Sequence, residues 1–160
     1  NIDPAMIEEP LYKMPEVKIA AAVGSPDPHA GEIPVAYVEL KEGVQIDEAK
    51  ILDYLKKEVP ERAAVPKQVF ILPQMPLTPI GKVFKPALRR DSIRRVYARE
   101  LSSLQGMIEK LNVTVQEDKV HGALALIEIT ILPGQSQADV KSKVEELLAR
   151  YTTRYQIVFE

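Results

Sequence analysis

Two segments of this chain repeat one order of structural signals, and this repetition restricts the fold more than any other feature. Each segment passes from the end of an apolar strand through a glycine-containing turn into a capped amphipathic helix: "VELKEGVQIDEAKILDYLKKEV" and "ITILPGQSQADVKSKVEELLAR". In each half, two predicted strands precede the helix and one follows it. The sequence therefore predicts an α+β protein that contains the order strand, strand, helix, strand twice.

In the first half, a helix capped by Asp3 and opened by Pro4 precedes strands at 17–24 and 32–40, with turn residues at 25–31. A second helix follows Asp47 and ends at Pro60, and residues 67–72 form a third strand. The alternation in 32–40 places Ala36, Val38 and Leu40 on one face and Val35, Tyr37 and Glu39 on the other. A third helix begins at Pro86, and its apolar stripe consists of Ile93, Val96, Tyr97, Leu101 and Leu104.

The second half predicts strands at 111–118, 123–132 and 155–160 around a helix at 137–151. We place the boundary between the halves within 102–110, which gives domains at 1–104 and 105–160. If residues 105–160 form an α+β unit of their own, they need an apolar core. The expected core residues are Val113, Leu126, Ile129, Val144, Leu147 and Leu148.

Composition excludes several classes of site. The 160 residues are 46% hydrophobic and 28% charged, which is typical of a globular protein. The chain has no cysteine and only two distant histidines, so we expect no disulfide, no thiolate chemistry and no metal site. Its apolar runs are too short to span a membrane, which favours a cytoplasmic protein. It begins with Asn1 and not methionine, so we expect a piece of a longer polypeptide or a processed terminus.

Basic charge is concentrated in one region. Residues 82–99 contain seven basic residues and one acidic residue, although the formal net charge of the chain is −2. A basic helix beside a sheet suggests nucleic-acid binding, but the strands lack the aromatic pattern of RNA-binding sheets and the protein is acidic. We therefore expect no nucleic-acid partner.

The stretch "PLTPIGKVFKPALRR" presents Lys82 on a loop just before the third helix. Gly81 permits backbone angles that other residues avoid, and Pro76 and Pro79 stiffen the loop. A loop lysine is most often only a solvated charge. The alternative is that this loop holds an ammonium group out for a negatively charged partner.

Three stretches in order, "NIDPAMIEE", "GSPDPHAGEIPVAYVEL" and "PLTPIGKVFKPAL", resemble the C-terminal domain of adenylate-forming enzymes, specifically acyl-CoA synthetases of the fatty-acid ligase type. The resemblance covers about residues 1–104. It implies a small three-layer-like domain, to which residues 105–160 add a strand-strand-helix-strand unit resembling half of a ferredoxin-like fold.

The resemblance also implies a two-step reaction, in which a fatty or other carboxylic acid forms an acyl-adenylate with ATP and the thiol of CoA then takes the acyl group. ATP, CoA and Mg²⁺ are bound mainly by an N-terminal adenylation domain, which is the expected partner. The C-terminal domain alternates between two poses, and Lys82 matches the lysine that acts in the first step. This chain alone is therefore expected to be inactive.

Other cations are weaker candidates. Lys85 and Arg89 could meet phosphates near Lys82, although a basic helix face is usually solvated. The resemblance places Lys56, Lys57 and Arg62 near the phosphates of CoA, and the alternative is the exposed face of an amphipathic helix. Helix-dipole and turn roles are sufficient to explain Glu8, Glu9 and Glu32.

A different function stays open for the paired α+β units. They could form a small-molecule-binding regulatory domain or a dimerisation domain. In the latter case, exposed edge strands of residues 105–160 would pair with a second copy of the chain.

Overall fold

The structure, a computed structural model, describes residues 2–160. These residues form four α-helices and two three-stranded sheets, with short 3₁₀ helices at Arg62–Ala64 and Ser102–Leu104. The predicted α+β class is confirmed, and so is the twofold order of strand, strand, helix, strand. The elements are α1 (Ala5–Tyr12), β1 (Val17–Asp27), β2 (Gly31–Leu40), α2 (Glu48–Glu58), β3 (Val69–Ile71), α3 (Lys85–Leu101), β4 (Ile108–Asp118), β5 (Gly122–Ile131), α4 (Gln137–Leu148) and β6 (Arg154–Phe159).

Short polar side chains fix the starts of three helices. Asp3 accepts a hydrogen bond from the Ala5 N–H at 3.0 Å, just before α1. Asp47 accepts from the Lys50 N–H at 2.8 Å and caps α2, as predicted. Ser136 accepts from the Asp139 N–H at 3.2 Å and caps α4. Each bond satisfies one of the backbone donors that a helix leaves unpaired in its first turn.

The first sheet has the order β1-β2-β3, and β3 runs parallel to β2. Both of its faces are buried, and the residues of β2 divide between the two faces as predicted. Ala36 and Val38 belong to one core with Ile7 of α1 and Leu55 of α2. The opposite face has its own core, formed by Ala21, Val23, Val35, Tyr37, Met75 and Leu88. Residues 73–88 therefore supply a third layer to this part of the chain.

The second sheet has the order β4-β5-β6, with β5 antiparallel to β4 and parallel to β6. One face packs on α4 and on Val96, Tyr97 and Leu101 of α3. Of the core predicted for residues 105–160, Val113, Ile129, Val144 and Leu148 are buried, and Leu147 packs against them half-buried.

The prediction for Leu126 is wrong. Ala125, Ile127 and Ile129 are each 0% exposed, so Leu126 lies on the opposite face of β5, where it is half-buried. Successive side chains of a strand alternate between faces, and Leu126 and Ile129 are an odd number of residues apart.

Three predicted elements end at different residues in the structure. β1 continues to Asp27, and only Pro28–Ala30 form the turn, because the Asp27 carboxylate closes it by accepting from the His29 and Ala30 N–H groups. β3 is three residues long instead of six, and α4 ends at Leu148 instead of residue 151.

The chain divides into two compact units. The first unit contains the residues up to Ser25 together with Glu32–Arg89, and the second contains Pro26–Gly31 together with Arg90–Glu160. The division falls within α3, whereas the sequence suggested a domain boundary at residues 104 and 105. That boundary stays a prediction.

Candidate functional site

The loop that carries Lys82 is a short hairpin, which we call the Lys82 loop (residues 76–84). At its base the Phe84 N–H donates to the Pro76 carbonyl oxygen at 2.9 Å, and Leu77 pairs with Val83 in an antiparallel bridge. At its tip the Thr78 N–H donates to the Lys82 carbonyl oxygen at 2.6 Å, and the Gly81 N–H donates to the Thr78 carbonyl oxygen at 2.9 Å. The backbone around Lys82 therefore has a defined conformation.

Lys82 lies at the exposed end of this hairpin. Its N–H donates to the Thr78 hydroxyl at 3.1 Å, while its ammonium group forms no ion pair with any residue among 2–160. Gly81 next to it has a φ of +85°, in the region that favours glycine. Ile80, at 83% exposure, projects beside it. The arrangement holds a charged amine and an apolar side chain outward.

Lys85, the first residue of α3, is engaged within the first unit. Its Nζ lies 2.8 Å from Glu8 Oε2, and both side chains are partly buried. The same carboxylate oxygen accepts from the Ala22 N–H of β1 at 2.9 Å. Neither contact was predicted from the sequence, where helix-dipole and turn roles were considered sufficient to explain Glu8. The expected phosphate contact of Lys85 stays a prediction.

Glu39 is a second carboxylate that sequence analysis did not select. It is 9% exposed, it accepts from the Met75 N–H at 2.7 Å, and its other oxygen lies 3.2 Å from Lys18 Nζ. The Met75 hydrogen bond is the main cause that lowers the pKa of Glu39, and Lys18 adds to it against the effect of burial. Glu39 could have been selected from the sequence, because the alternation of β2 puts it on the same apolar face as Val35 and Tyr37. A carboxylate there requires partners.

Cations converge on a groove at the end of α2, which we call the α2 groove. It has a volume of about 680 Å³, and Lys56, Arg62 and Lys67 supply its charged lining. The apolar lining consists of Leu52, Val59, Pro60, Val65 and Pro66. Lys56 also lies 3.9 Å from Asp53, a weak contact between exposed groups. The structure thus brings two of the three predicted CoA-binding cations together and adds Lys67, whereas Lys57 does not line the groove.

In the second unit, a polar cluster joins His121, Asp118 and Arg154. Arg154 of β6 lies 2.9 Å from His121 Nε2, and His121 Nδ1 lies 3.1 Å from the Asp118 carboxylate. Because an arginine can only donate, Nε2 accepts and the proton of the neutral ring resides on Nδ1. The cluster ties the turn between β4 and β5 to the start of β6. Among residues 2–160, no three His, Cys, Asp or Glu side chains are arranged to hold a metal ion.

No helix among residues 2–160 combines the length and the apolar character that crossing a membrane requires.

Comparison with known protein families gives one match. The model of the AMP-binding enzyme C-terminal domain matches residues 6–82. This range contains the Lys82 side chain, Glu8, Glu39 and the α2 groove, and it ends before α3.

Two relatives illustrate the sequence similarity. Marinolic acid–CoA ligase of Pseudoalteromonas sp. (strain SANK 73390) is 35% identical over 161 residues, which cover 99% of this chain and 24% of that protein. Feruloyl-CoA synthase of Amycolatopsis sp. is 38% identical over 90 residues, which cover 56% of this chain and 18% of that protein. The chain thus spans about a quarter or less of the length of these relatives. The first match extends through residues of the second unit.

Two solved structures are similar to part of the chain. An acyl-CoA synthetase from Brucella canis has a TM-score of 0.53 and 33% identity, covering 59% of this chain and 18% of that protein. ATP-bound MatB from Rhodopseudomonas palustris has a TM-score of 0.51 and 34% identity, covering 57% of this chain and 18% of that protein.

Proposed function

Residues 6–82 belong to the AMP-binding enzyme C-terminal domain family, and from this premise we propose that the chain is the mobile C-terminal lid of an ATP-dependent acyl-CoA synthetase. The resemblance seen in the sequence motifs is confirmed by this match. In the proposed enzyme, Lys82 acts in acyl-adenylate formation and the α2 groove contributes to the CoA-binding surface. The acid that is activated is determined by the N-terminal adenylation domain.

The observation that carries the proposal is the placement of Lys82. Its loop is held by backbone hydrogen bonds, yet its ammonium group has no ion pair within residues 2–160 and extends into solvent. A lysine in this position is available to a separate domain. Its four-carbon stem lets the charge reach several ångströms beyond the loop.

The proposed chemistry has two displacements. A carboxylate oxygen of the acid attacks the α-phosphorus of ATP, the bond to the bridging oxygen breaks, and pyrophosphate leaves. The thiolate of CoA then attacks the acyl carbon of the adenylate, and AMP leaves. Negative charge increases on the α-phosphate oxygens in the first displacement, and the Lys82 ammonium would stabilise it there.

We expect Mg²⁺ to be bound mainly by the N-terminal adenylation domain, as the family resemblance implies. Glu8 and Glu39, the carboxylates that contact the residues flanking the loop, are already occupied by Lys85, Lys18 and backbone N–H groups. We therefore assign no metal-dependent step to this chain.

The α2 groove supports the CoA part of the proposal. Three cations around an apolar floor suit a ligand that combines phosphates with an adenine ring, and the 3′-phospho-ADP portion of CoA has this composition. Lys57 lies outside the groove lining and is less suited to this role than the sequence suggested.

The test compares the two half-reactions in the full-length enzyme that contains this chain. Lys82→Ala should slow acyl-adenylate formation about 100- to 1,000-fold, the usual effect of removing one group that stabilises transition-state charge. Thioester formation from supplied acyl-adenylate should change far less. Arginine should restore little activity, because its planar guanidinium is wider than an ammonium group.

Lys85→Ala is the comparison variant. Equal losses in both half-reactions for Lys82→Ala would indicate general damage to the domain and contradict the assignment. A larger adenylation defect for Lys85→Ala than for Lys82→Ala would transfer the role to Lys85.

A further inference from the structure

We infer that Glu39 and Glu8 are positioning residues for Lys82, each holding one side of the Lys82 loop against the first sheet. The inference rests on the proposed function of Lys82. Neither side chain touches the reacting groups. The effect of each carboxylate on the order of the Lys82 loop is expected whatever reaction the loop serves.

The Lys82 loop needs support from outside itself. Its two sides are joined by one bridge pair, Leu77 and Val83, by the bond between Phe84 and Pro76 at its base, and by the bonds between Thr78 and Lys82 at its tip. An isolated two-stranded hairpin is at best marginally stable in water, and this one is shorter than most. Its internal hydrogen bonds define its shape but do not orient it relative to the rest of the unit.

Glu39 holds the side of the loop that precedes Lys82. The Met75 N–H, one residue before the loop, donates to Glu39 Oε1 at 2.7 Å, and this bond is buried. The Met75 side chain is 1% exposed in the core with Tyr37 and Leu88. Lys18, at 3.2 Å, neutralises the carboxylate from the neighbouring strand. A backbone atom of the loop's entry is thus fixed to β2 and β1.

Glu8 holds the side that follows Lys82. Lys85, one residue after the loop, lies 2.8 Å from Glu8 Oε2, and that oxygen also accepts from the Ala22 N–H. The start of α3 is therefore connected through Glu8 to both α1 and β1. Leu88, one helical turn later, is 1% exposed in the same core as Met75.

The two carboxylates act on opposite ends of one nine-residue segment, and both are linked to β1. Removing either one frees one end while the other stays attached. Catalytic groups must keep their position within a fraction of an ångström, and a displacement of about 1 Å can cost on the order of 100-fold in rate. We therefore expect each carboxylate to affect the rate through the order of the loop.

The variants are Glu39→Ala, Glu39→Gln, Glu8→Ala and, as a control, Glu48→Ala. Glutamine keeps an oxygen that can accept from the Met75 N–H, so Glu39→Gln should restore most of the loop order that Glu39→Ala removes. Glu48 is matched because its carboxylate also accepts a backbone N–H, that of Ile71, at 2.8 Å. Its loss should not reach the loop.

The first readout is amide hydrogen exchange and backbone ¹⁵N relaxation of the 160-residue chain. In Glu39→Ala and Glu8→Ala, the amides of Thr78, Gly81 and Lys82 should exchange at least about 10-fold faster, because transient opening of the loop then costs about 1.4 kcal/mol less. Glu48→Ala should leave these three amides unchanged.

The second readout is acyl-adenylate formation by the full-length enzyme. Glu39→Ala and Glu8→Ala should lower kcat about 10- to 100-fold with little change in KM for ATP, and Glu39→Gln should stay within about 3-fold of wild type. Glu8 is only partly buried, whereas Glu39 is 9% exposed, so Glu8→Ala decides the question if Glu39→Ala does not fold.

The inference is overturned if the loop amides are as protected in Glu8→Ala as in wild type, or if Glu48→Ala loosens the loop equally. A failure of the proposed function gives a different result. In that case Lys82→Ala leaves adenylation intact, while the exchange rates of the loop amides still decide whether Glu39 and Glu8 hold the loop.

Discussion

Charge reversal in the α2 groove tests the CoA-binding proposal, with a control at a lysine ten residues away in the sequence. Lys67 lines the groove, whereas Lys57 is an exposed lysine of the adjacent helix that does not. Lys67→Glu places a carboxylate beside the proposed phosphate position, and Lys57→Glu makes the same change in net charge outside it. Both variants change the net charge of the domain by the same amount. A difference in CoA binding between the two variants would therefore indicate a local contact at Lys67.

The expected magnitude follows from exposure. The groove cations are solvent-exposed, and the side chain of Lys56, which lies 3.9 Å from Asp53, is 60% exposed. A surface ion pair contributes about 0.2–1 kcal/mol, so replacing attraction by repulsion changes the interaction by about twice that amount. This corresponds to an increase in the KM for CoA of about 2- to 30-fold, at about 1.4 kcal/mol for each factor of ten.

The assay is thioester formation by the full-length enzyme from supplied acyl-adenylate, with CoA varied at low and at high salt. KM for CoA should rise in Lys67→Glu, and the difference from wild type should decrease as salt screens the charges. Lys57→Glu should stay close to wild type. Equal increases in KM for the two variants would show that only net charge matters, and the proposed phosphate site would be wrong.

Four further outcomes are expected. Tyr97→Phe should destabilise the second unit by about 1–2 kcal/mol in chemical denaturation, because the buried hydroxyl donates to the Thr153 carbonyl at 2.8 Å, while Tyr155→Phe, which removes a hydroxyl without such a bond, should change stability by less than about 0.5 kcal/mol. The pKa of Tyr97 is raised to about 12, mainly by burial, so wild type should lose stability as the pH rises from about 10 toward 12 and Tyr97→Phe should lose less over that window. Gly81→Ala should strain the loop by about 1–2 kcal/mol through its φ of +85° alone, since nothing lies within 4 Å of an added Cβ, and its effect should be seen as faster exchange of the loop amides. Because the pKa of Glu39 is lowered, its contribution to stability should be complete above about pH 4.5 and decrease as the pH falls below it, and a thermal-unfolding series should show a smaller acid dependence in Glu39→Gln.

Local signals in the sequence were sufficient for most of the fold. Asp47 identified a helix start because a cap acts within three residues of itself. The two faces of β2 were assigned correctly because strand alternation requires no knowledge of distant contacts. Lys82 could be selected because Gly81 and the surrounding prolines describe a loop by their own backbone preferences.

Contacts between distant residues were not predictable in the same way. Glu8 and Lys85 are far apart in sequence, as are Glu39 and Met75, and neither pair is marked by spacing or by composition. Lys67 was not selected from the sequence because it lies after α2, the helix that contains Lys56. The groove that Lys67 lines forms only when α2 and the following loop are folded. The error at Leu126 is different, since the alternation rule applied correctly would have avoided it.

The two sheets have the same strand order, but they are covered differently, and this difference explains where the proposed chemistry lies. In the second sheet, one face packs on helices and the other carries half-buried and polar side chains such as Leu126 and Gln156. In the first sheet, the second face is closed by Met75, Val83 and Leu88, which are the residues at the two ends of the Lys82 loop and in the first turns of α3. The segment that carries Lys82 is therefore also a layer of the core. A loop anchored in this way keeps its lysine in place because moving it would expose buried side chains and break the bonds to Glu39 and Glu8.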